Sequence, residues 1–520
     1  MSRARPYQRP VLTALLGVVG LVVSSIVIYG VLWGVEFGAQ AGPSNPWILF
    51  GLPGTADTVA GLGEVTVAVL GIAITVVAII VELAAARYTP RITELFLRDP
   101  INVMVLGFFT VTSTLVLATA MSLYGPTYPS LMVVAATGAM LLSVATVVPY
   151  FLYVFHFLTP QSVISRIQRR AEAGLRMAAR GDRRVDAGRR ELTKSVEQLG
   201  DIALNSVVKK DKAIAIAALN ALTDVAVASI EARERMPVRW FDAEPLASTD
   251  QDFVSFHPSI VAQLSERRTW VEMKVFRQFQ GVLAESLHDL QDVAHIVAIH
   301  TRKLALLGSG IQNVEATRLS LRLMHTYLRN AINGKDVRTA YNVFNEYRTL
   351  AEGLLGGPHE GLVPEMADRA RFYGQLAFSR SLAFIQETAA YDLCGLLQAA
   401  YDQESSCHDA LLEIFLQVDR EPDGGEHQEA SLRGVRKAQT KLAAFYLYRG
   451  NTALAQRIFH DMQDEKPERL LSIRAELEAI TEPEFWEVSD RGVDFDWLPA
   501  SQRAELATFF GWFDGRAGKG

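Results

Sequence analysis

The longest stretches without a charged residue decide what this chain can fold into. No Asp, Glu, Lys or Arg occurs from Val11 to Val35 or from Pro100 to Ser165. About 20 apolar residues in a helix cross the hydrocarbon core of a bilayer, so the second stretch is too long for one helix. The Gly and Pro residues of 125–129 divide it. The sequence therefore predicts a multi-pass helical membrane protein and not an outer-membrane barrel.

Four membrane spans are predicted, at about residues 11–35, 62–86, 101–124 and 130–158. The first is too long for the apolar core of a signal peptide, and further spans follow it, so we expect it to be retained. Pro149 lies inside the fourth span and predicts a kink there.

Arginine and lysine residues alternate between the two sides of these spans. They precede span one, separate spans two and three, and follow span four, whereas the connections 35–61 and 125–129 contain none. Basic residues accumulate on the cytoplasmic side of a membrane. The pattern predicts that both termini are cytoplasmic and, in a bacterium, that the membrane is the inner membrane.

The charge balance changes after the last span. Residues 161–200 hold ten Lys and Arg against five Asp and Glu, and residues 201–520 hold 35 against 46. The basic segment either binds anionic lipid headgroups or only fixes the topology. The acidic remainder argues against nucleic acid as a partner. The candidate headgroup ligands are Arg166, Arg169, Arg170 and Arg176.

A specific motif begins at the end of the second span, where residues 83–109 read LAAARYTPRITELFLRDPINVMVLGFF. The segment resembles the signature of a bacterial family of predicted membrane proteins that has no established activity. In that family an aromatic-Ser/Thr-Pro-Arg segment follows span two, and Arg-Asp and Leu-Gly-Phe open span three. We expect the short amphipathic part to lie at the cytoplasmic interface. The matching residues are Tyr88, Thr89, Pro90, Arg91, Arg98, Asp99, Leu106, Gly107 and Phe108.

A second similarity to this family covers residues 198–226, and the resemblance extends over about residues 10–300. The chain departs from the family at 206–212, where it reads Ser-Val-Val-Lys-Lys-Asp-Lys in place of a Ser-Pro-Ala/Gly-Ile-Asn-Asp-Pro turn. The resemblance implies an architecture of four spans and a helical cytoplasmic domain. It implies no reaction.

Helical periodicity dominates after residue 160, which predicts an all-α chain whose cytoplasmic part is a bundle or an irregular α-solenoid. The stretch 269–303 reads as one long helix. A Gly-Asn turn within 435–463 joins two apolar-faced helices in a pair similar to a tetratricopeptide unit. The expected segments are a membrane domain (1–160), a basic collar with the first helices (161–235), a linker (236–268), a helical domain (269–355) and a C-terminal helical domain (365–520).

Charged and hydroxyl side chains in the spans are the candidates for an ion path. Glu64 and Glu82 lie near the two ends of span two, and Thr110 and Thr114 belong to a hydroxyl-rich part of span three. An ionisable group in a span is a functional hypothesis, but interfacial solvation of the acids and close packing of the hydroxyls are the favoured explanations. A pore from four short-looped helices would need an oligomer.

The sequence gives little support for catalysis or metal binding. His288, His295 and His300 lack the i,i+4 spacing of helical metal ligands, and no nucleophile elbow or phosphate loop occurs. We expect no cofactor and no metal. The leading hypothesis is a membrane-anchored scaffold whose helical domain binds a protein partner, with the bilayer as its other partner and homo-oligomers possible. The alternative is an oligomeric channel or transporter gated by the cytoplasmic domain, and an enzyme ranks third.

Overall fold

The computed structural model describes residues 23–24, 26–32, 34–35, 55–87, 92–97, 99–123, 130–419, 428–485 and 487–517. Most of these residues are helical and none forms a β-strand, so the predicted all-α class is confirmed. They fall into two compact units, one ending at Val163 and the other beginning at Ile164.

The first unit contains the predicted spans. The described part of 23–35 is helical and forms α1. The rest of predicted span one lies outside the described residues. Span two begins earlier than predicted, and Pro149 lies inside the helix of span four. The remaining helices are α2 (Thr55–Arg87), α3 (Ile92–Leu97), α4 (Pro100–Ser122) and α5 (Ser130–Phe157).

Helices α2, α4 and α5 pack against one another around a small apolar core. Leu115 of α4 and Met140 of α5 are buried in it, and Tyr29 of α1 packs against the same cluster. Large apolar side chains also cover the outside of these helices. Such a continuous apolar exterior is costly in water and is expected of helices covered by lipid. Examples are Ile72, Leu83, Met104, Leu141, Val148 and Leu152.

Four helices among the described residues are long and apolar enough to cross a membrane: Asp57–Ala86, Pro100–Ser122, Leu131–Phe157 and Lys212–Arg235. The first three correspond to predicted spans two to four. The fourth helix differs from the other three. Of its most apolar 18-residue stretch 61% is buried, against 39% or less in the others. It packs against neighbouring helices of the second unit, so we assign it to the core of that unit.

The second unit is helical throughout its described length, apart from its connections. Its helices are α6 (Pro160–Ala178), α7 (Val185–Val208), α8 (Lys212–Ala232), α9 (Glu244–Ala247), α10 (Pro258–Glu266), α11 (Trp270–Ser286), α12 (Gln291–Gly310), α13 (Val314–Asn333), α14 (Val337–Leu354), α15 (Val363–Ser379), α16 (Ala383–Asp402), α17 (His408–Phe415), α18 (Gln428–Tyr448), α19 (Thr452–Asp461), α20 (Pro467–Ala479), α21 (Ala500–Ala504) and α22 (Leu506–Ala517).

Successive helix pairs of this unit stack as in an α-solenoid. Helices α12, α14, α16 and α18 lie side by side in that order, and α13, α15 and α17 pack behind them. Each pair therefore adds one helix to a continuous layer. The predicted tetratricopeptide-like pair is α18 and α19.

Four of the turns between helices share one design. A residue with a left-handed backbone ends the first helix, and the Asn or Asp that follows caps the next, as Gly450 (φ +76°) and Asn451 do. The amide of Asn451 also reaches back to the carbonyl of Tyr446, the long bond of a Schellman turn. The turn of residues 206–212 has this design. The equivalent residue pairs are Lys210–Asp211, Gln312–Asn313 and Lys335–Asp336.

Two sequence predictions for this unit differ from the structure. The stretch 269–303 is two helices, because His288 adopts a left-handed backbone (φ +67°) and its amide donates to the Asp336 carboxylate 48 residues away. The segment 236–268 is packed into the unit, with Trp240 and Phe241 buried. Proline frequency indicated the chain turns of this segment but not its aromatic anchors.

Candidate functional site

The candidate ion-path residues do not come together in the first unit. Glu64 and Glu82 are exposed side chains of α2, about 27 Å apart along the helix at 1.5 Å per residue. Thr110 and Thr114 are half-buried, and each hydroxyl donates to the carbonyl four residues earlier in α4, at 2.8 and 2.9 Å. These hydroxyls satisfy their own helix, which fits close packing.

The predicted interfacial motif consists of Tyr88, Pro90, Arg91, Arg98 and Asp99. Of these five residues the structure describes Asp99, and the other four lie outside the described residues. The Asp99 carboxylate is buried, caps α4 by accepting from the Ile101 amide at 3.1 Å, and accepts from the Tyr153 hydroxyl at 2.6 Å. Asn102 ties α3 to α4 by donating to the Phe96 carbonyl at 2.9 Å. The motif aspartate therefore joins α4 to α5 and is not an exposed interfacial charge.

Sequence reasoning missed Tyr153 and Asn102, although both are polar residues in otherwise apolar runs. The Tyr150 hydroxyl is also buried and makes no hydrogen bond. Only the fold brings these side chains to the level of Asp99.

The basic collar is divided between exposed and structural arginines. Arg169 and Arg176 are exposed, and Arg176 pairs with Glu172 at 3.4 Å. Arg166 and Arg170 are half-buried. Arg189 is buried and donates to the Arg239 carbonyl at 2.8 Å, so this member of the collar is part of the core.

The histidines of 288–300 do not share a site. The His295 ring lies 3.1 Å from Glu346, and both ring nitrogens of the buried His300 are without a hydrogen bond. Burial lowers the pKa of His300 to about 4, so the ring is neutral near pH 7. Among the described residues, no group of three or more His, Cys, Asp or Glu side chains is arranged to hold a metal ion.

The most elaborate polar site is a groove across the helix layer of the second unit. Residues 487–498, here called the strap, belong to the connection between α20 and α21 and contain no helix. The strap lies across α14, α16 and α18. The groove is the surface of these three helices that the strap touches.

The first anchor of the strap is Asp490. Arg338 of α14 binds both of its carboxylate oxygens, through Nε at 2.8 Å and Nη2 at 2.9 Å, and Asn342 donates to it at 2.8 Å. These donors hold the pKa of Asp490 at about 2. A bidentate pair fixes the direction of the carboxylate as well as its position.

The second anchor is Arg491, whose side chain is almost fully buried. Its guanidinium donates to both carboxylate oxygens of Asp392, at 2.6 and 3.1 Å, and to the Tyr341 carbonyl. It also lies 4.0 Å from the centroid of the Tyr341 ring. Arg348 approaches the same Asp392 at 3.2 Å, so the carboxylate serves two arginines.

The third anchor combines Phe495 and Asp496. The Phe495 ring stacks on Tyr391 of α16, with centroids 4.8 Å apart and planes inclined by 15°. Asp496 accepts from the Tyr391 hydroxyl and, at 2.7 Å, from Lys437 of α18. Lys441 donates to the carbonyl of Phe495. Strap residues thus alternate between charged and aromatic contacts.

A cavity of about 720 Å³ adjoins the strap. Its walls include Lys335 from the α13–α14 turn, Phe384 from α16, and Phe485, Val488 and Val493 from the α20–α21 connection. The strap therefore leaves part of the groove open. A volume of this size is within the range of small-molecule and peptide pockets.

Comparison with known proteins identifies the N-terminal part of the chain. No curated protein and no solved structure matches the chain. The groove lies beyond the segment that the family comparison covers, because that match ends at residue 212. Residues 7–212 match the family described as "Predicted membrane protein (DUF2254)", so the family resemblance is confirmed over this segment of a membrane protein.

Proposed function

We propose that this protein is a membrane-anchored interaction protein whose helical unit binds a segment of a partner protein in the groove. The observation that supports the proposal is the strap itself. It is a helix-free segment with turns at 490–491 and 495–496, held by matched ion pairs and aromatic stacking on a helix layer. Stacked helix pairs create extended surfaces that commonly bind partners.

The membrane unit serves in this proposal as the anchor. We propose that it lies in the bacterial inner membrane with both termini in the cytoplasm, which follows from the alternation of basic residues between the spans. This orientation places the groove in the cytoplasm. The exposed arginines Arg169 and Arg176 would then be available to anionic headgroups, and the spans would be available for self-association.

Site-specific photo-crosslinking in living cells tests the proposal. A photoreactive p-benzoylphenylalanine replaces Phe384, a half-exposed ring that lines the groove cavity, in one variant. It replaces Val238, an exposed residue far along the chain from the groove, in the control. We expect a discrete protein adduct from position 384 that is absent from position 238. Adducts of equal yield at both positions, or none from the groove, would refute the proposed function.

A further inference from the structure

The strap is bound as a ligand is bound, by its side chains. Two of its backbone amides donate within the same connection, from the Asp494 amide to the Pro483 carbonyl and from the Trp497 amide to the Asp494 carbonyl. The Phe495 carbonyl is its contact with a lysine of the layer. A segment of another chain could make the same contacts if it carried the same side chains in the same order and turned at the places of 490–491 and 495–496.

The groove contacts four types of side chain in a fixed order along the bound segment. Arg338 and Asn342 receive a carboxylate, and Asp392 with the Tyr341 ring receives a guanidinium in the next residue. Four residues later the Tyr391 ring receives an aromatic ring. Lys437 then receives a second carboxylate. A lysine could not replace the guanidinium, because the bidentate contact and the ring stacking need the planar fork of arginine.

The strap and the groove pair opposite charges, and the strap itself is acidic. The strap contains Glu487, Asp490, Asp494 and Asp496 against one arginine, a net charge of about −3. The groove meets these carboxylates with Arg338, Lys437 and Lys441 and meets the strap arginine with Asp392. Arg338 and Lys437 are also paired with Asp292 and Glu476. Opposite charge on the two surfaces speeds encounter and fixes register.

The strap also fits the groove incompletely. Val488 is fully exposed and Val493 is half-exposed, and both line the open cavity. Both valines are apolar side chains at the edge of a cavity that the strap does not fill. An occupant with larger apolar side chains at the corresponding places could fill the cavity and displace the strap.

We propose that the strap is an intramolecular ligand of the groove, displaced by an acidic partner segment with the same order of anchors: a carboxylate, an arginine, and four residues later an aromatic residue followed by a carboxylate. The inference rests on the proposed function for the existence of a partner. Competition between the strap and another segment for the groove can be tested without a known partner, because a peptide with the strap sequence serves as the probe.

The experiment uses the full-length protein in nanodiscs and a synthetic peptide of residues 487–498 carrying p-benzoylphenylalanine in place of Phe495. The strap variant, Asp490→Ala/Arg491→Ala/Phe495→Ala, removes side chains from all three anchors. We expect the strap to leave the groove in this variant. A tethered segment has an effective concentration in the millimolar range, so the free peptide competes poorly with the intact strap. We expect at least about tenfold more peptide labelling of α16 in the strap variant than in the wild type.

A matched peptide with Arg491→Lys is the control for specificity. It keeps the charge and loses the guanidinium fork, so it should label the strap variant several-fold less than the parent peptide. Far-ultraviolet circular dichroism checks that the strap variant keeps its helices. If the strap variant loses its helices, the single variant Arg491→Lys in the full chain is used instead. We expect its peptide labelling to lie between that of the wild type and the level expected for a vacated groove.

Two outcomes overturn the inference. Equal labelling of wild type and strap variant would mean that the strap does not compete for the groove. No labelling of a folded strap variant at about 1 mM peptide would mean that the strap sequence is no ligand at the effective concentration of the tether. If peptide labelling succeeds and the in-cell adduct from position 384 fails, the competition stands and the partner proposal falls.

Discussion

The Tyr153 hydroxyl donates to the Asp99 carboxylate at 2.6 Å and so joins the start of α4 to the end of α5. The same carboxylate caps α4. The Asp99 side chain therefore links α4 to α5 at one end of the membrane unit. Two tyrosines one helical turn apart, Tyr150 and Tyr153, allow this contact to be tested, because only Tyr153 has a partner for its hydroxyl.

Removing that hydroxyl should weaken the membrane unit. We expect Tyr153→Phe to lower the free energy of unfolding by about 1–2 kcal/mol, since a buried hydrogen bond to a charged group is lost. Unfolding in mixed micelles of increasing dodecyl sulfate fraction measures it. Tyr150→Phe is the matched control and should cost little, because its hydroxyl is buried without a partner. Equal losses in the two variants would contradict the role of the Asp99 contact.

Lys274 in α11 is a buried cation whose replacement should destabilise the second unit. Its ammonium lies 2.6 Å from both Asp250 and Asp252 and 3.0 Å from Glu197, with its side chain 1% exposed. We expect Lys274→Met to destabilise the second unit by about 3–5 kcal/mol, because it leaves buried carboxylates without their cation.

Thermal unfolding of the full chain, followed by circular dichroism, measures the loss. Lys210→Met is the control, because Lys210 forms an exposed pair with Asp289 at 3.1 Å and such pairs contribute about 0–1 kcal/mol. Adding Asp250→Asn to Lys274→Met should restore part of the stability. A loss no larger than that of the exposed pair would show that the carboxylates are not held by Lys274.

The strap should close more tightly as the pH falls. Burial, followed by the Asp496 carboxylate, raises the pKa of Glu387 to about 7. Leaving the groove removes Asp496 and exposes Glu387, so the open state has the lower pKa. A group with the higher pKa in the closed state favours closure below that pKa, and the benefit is lost as pH rises through about 7. From pH 8 to pH 5.5 closure should strengthen on the order of tenfold.

A spin label at Val493→Cys, in a Cys407→Ser background, reports strap mobility by electron paramagnetic resonance. Other groups near Glu387 are Lys437, which attracts its carboxylate, and Glu476, which repels it. His295 also contributes to the lowered pKa of Asp490. Glu387→Gln separates these contributions, because it should flatten the profile near pH 7. An unchanged profile in that variant would remove Glu387 from the explanation.

Ion flux distinguishes the interaction protein from the channel. Proteoliposomes that contain the wild type or Glu64→Gln should both conduct no more than empty liposomes, because Thr110 and Thr114 bond to their own helix and the two span-two acids lie far apart. Measurements across several ions and voltages give the comparison. Flux in the wild type that Glu64→Gln abolishes would make the channel the primary function.

Periodicity and charge-free runs predicted the helices well, because each helix is fixed by residues close in sequence. The ends of α4 and α5 lie within two residues of the predicted span ends. Breaks that depend on distant partners escaped prediction. Asp336 stabilises the turn at His288 from 48 residues away, and no local signal near residue 288 records that contact.

The groove escaped prediction for the same reason. The strap falls inside the predicted C-terminal helical domain, 365–520, and its anchors bind residues about 60 to 150 positions earlier in the chain. The motif aspartate was found and its partner was not. Asp99 stands out in an apolar run, but Tyr153 becomes its neighbour only when α5 packs beside α4.

The 152 residues between Arg338 and Asp490 also set the timing of groove closure during synthesis. A ribosome that adds about 5–20 residues per second needs roughly 8–30 s to travel that distance. Helices α14 and α16 are therefore made well before the segment that covers them. Every newly made copy passes through an interval in which its groove is uncovered, and a partner present at the translating ribosome would meet it without competition.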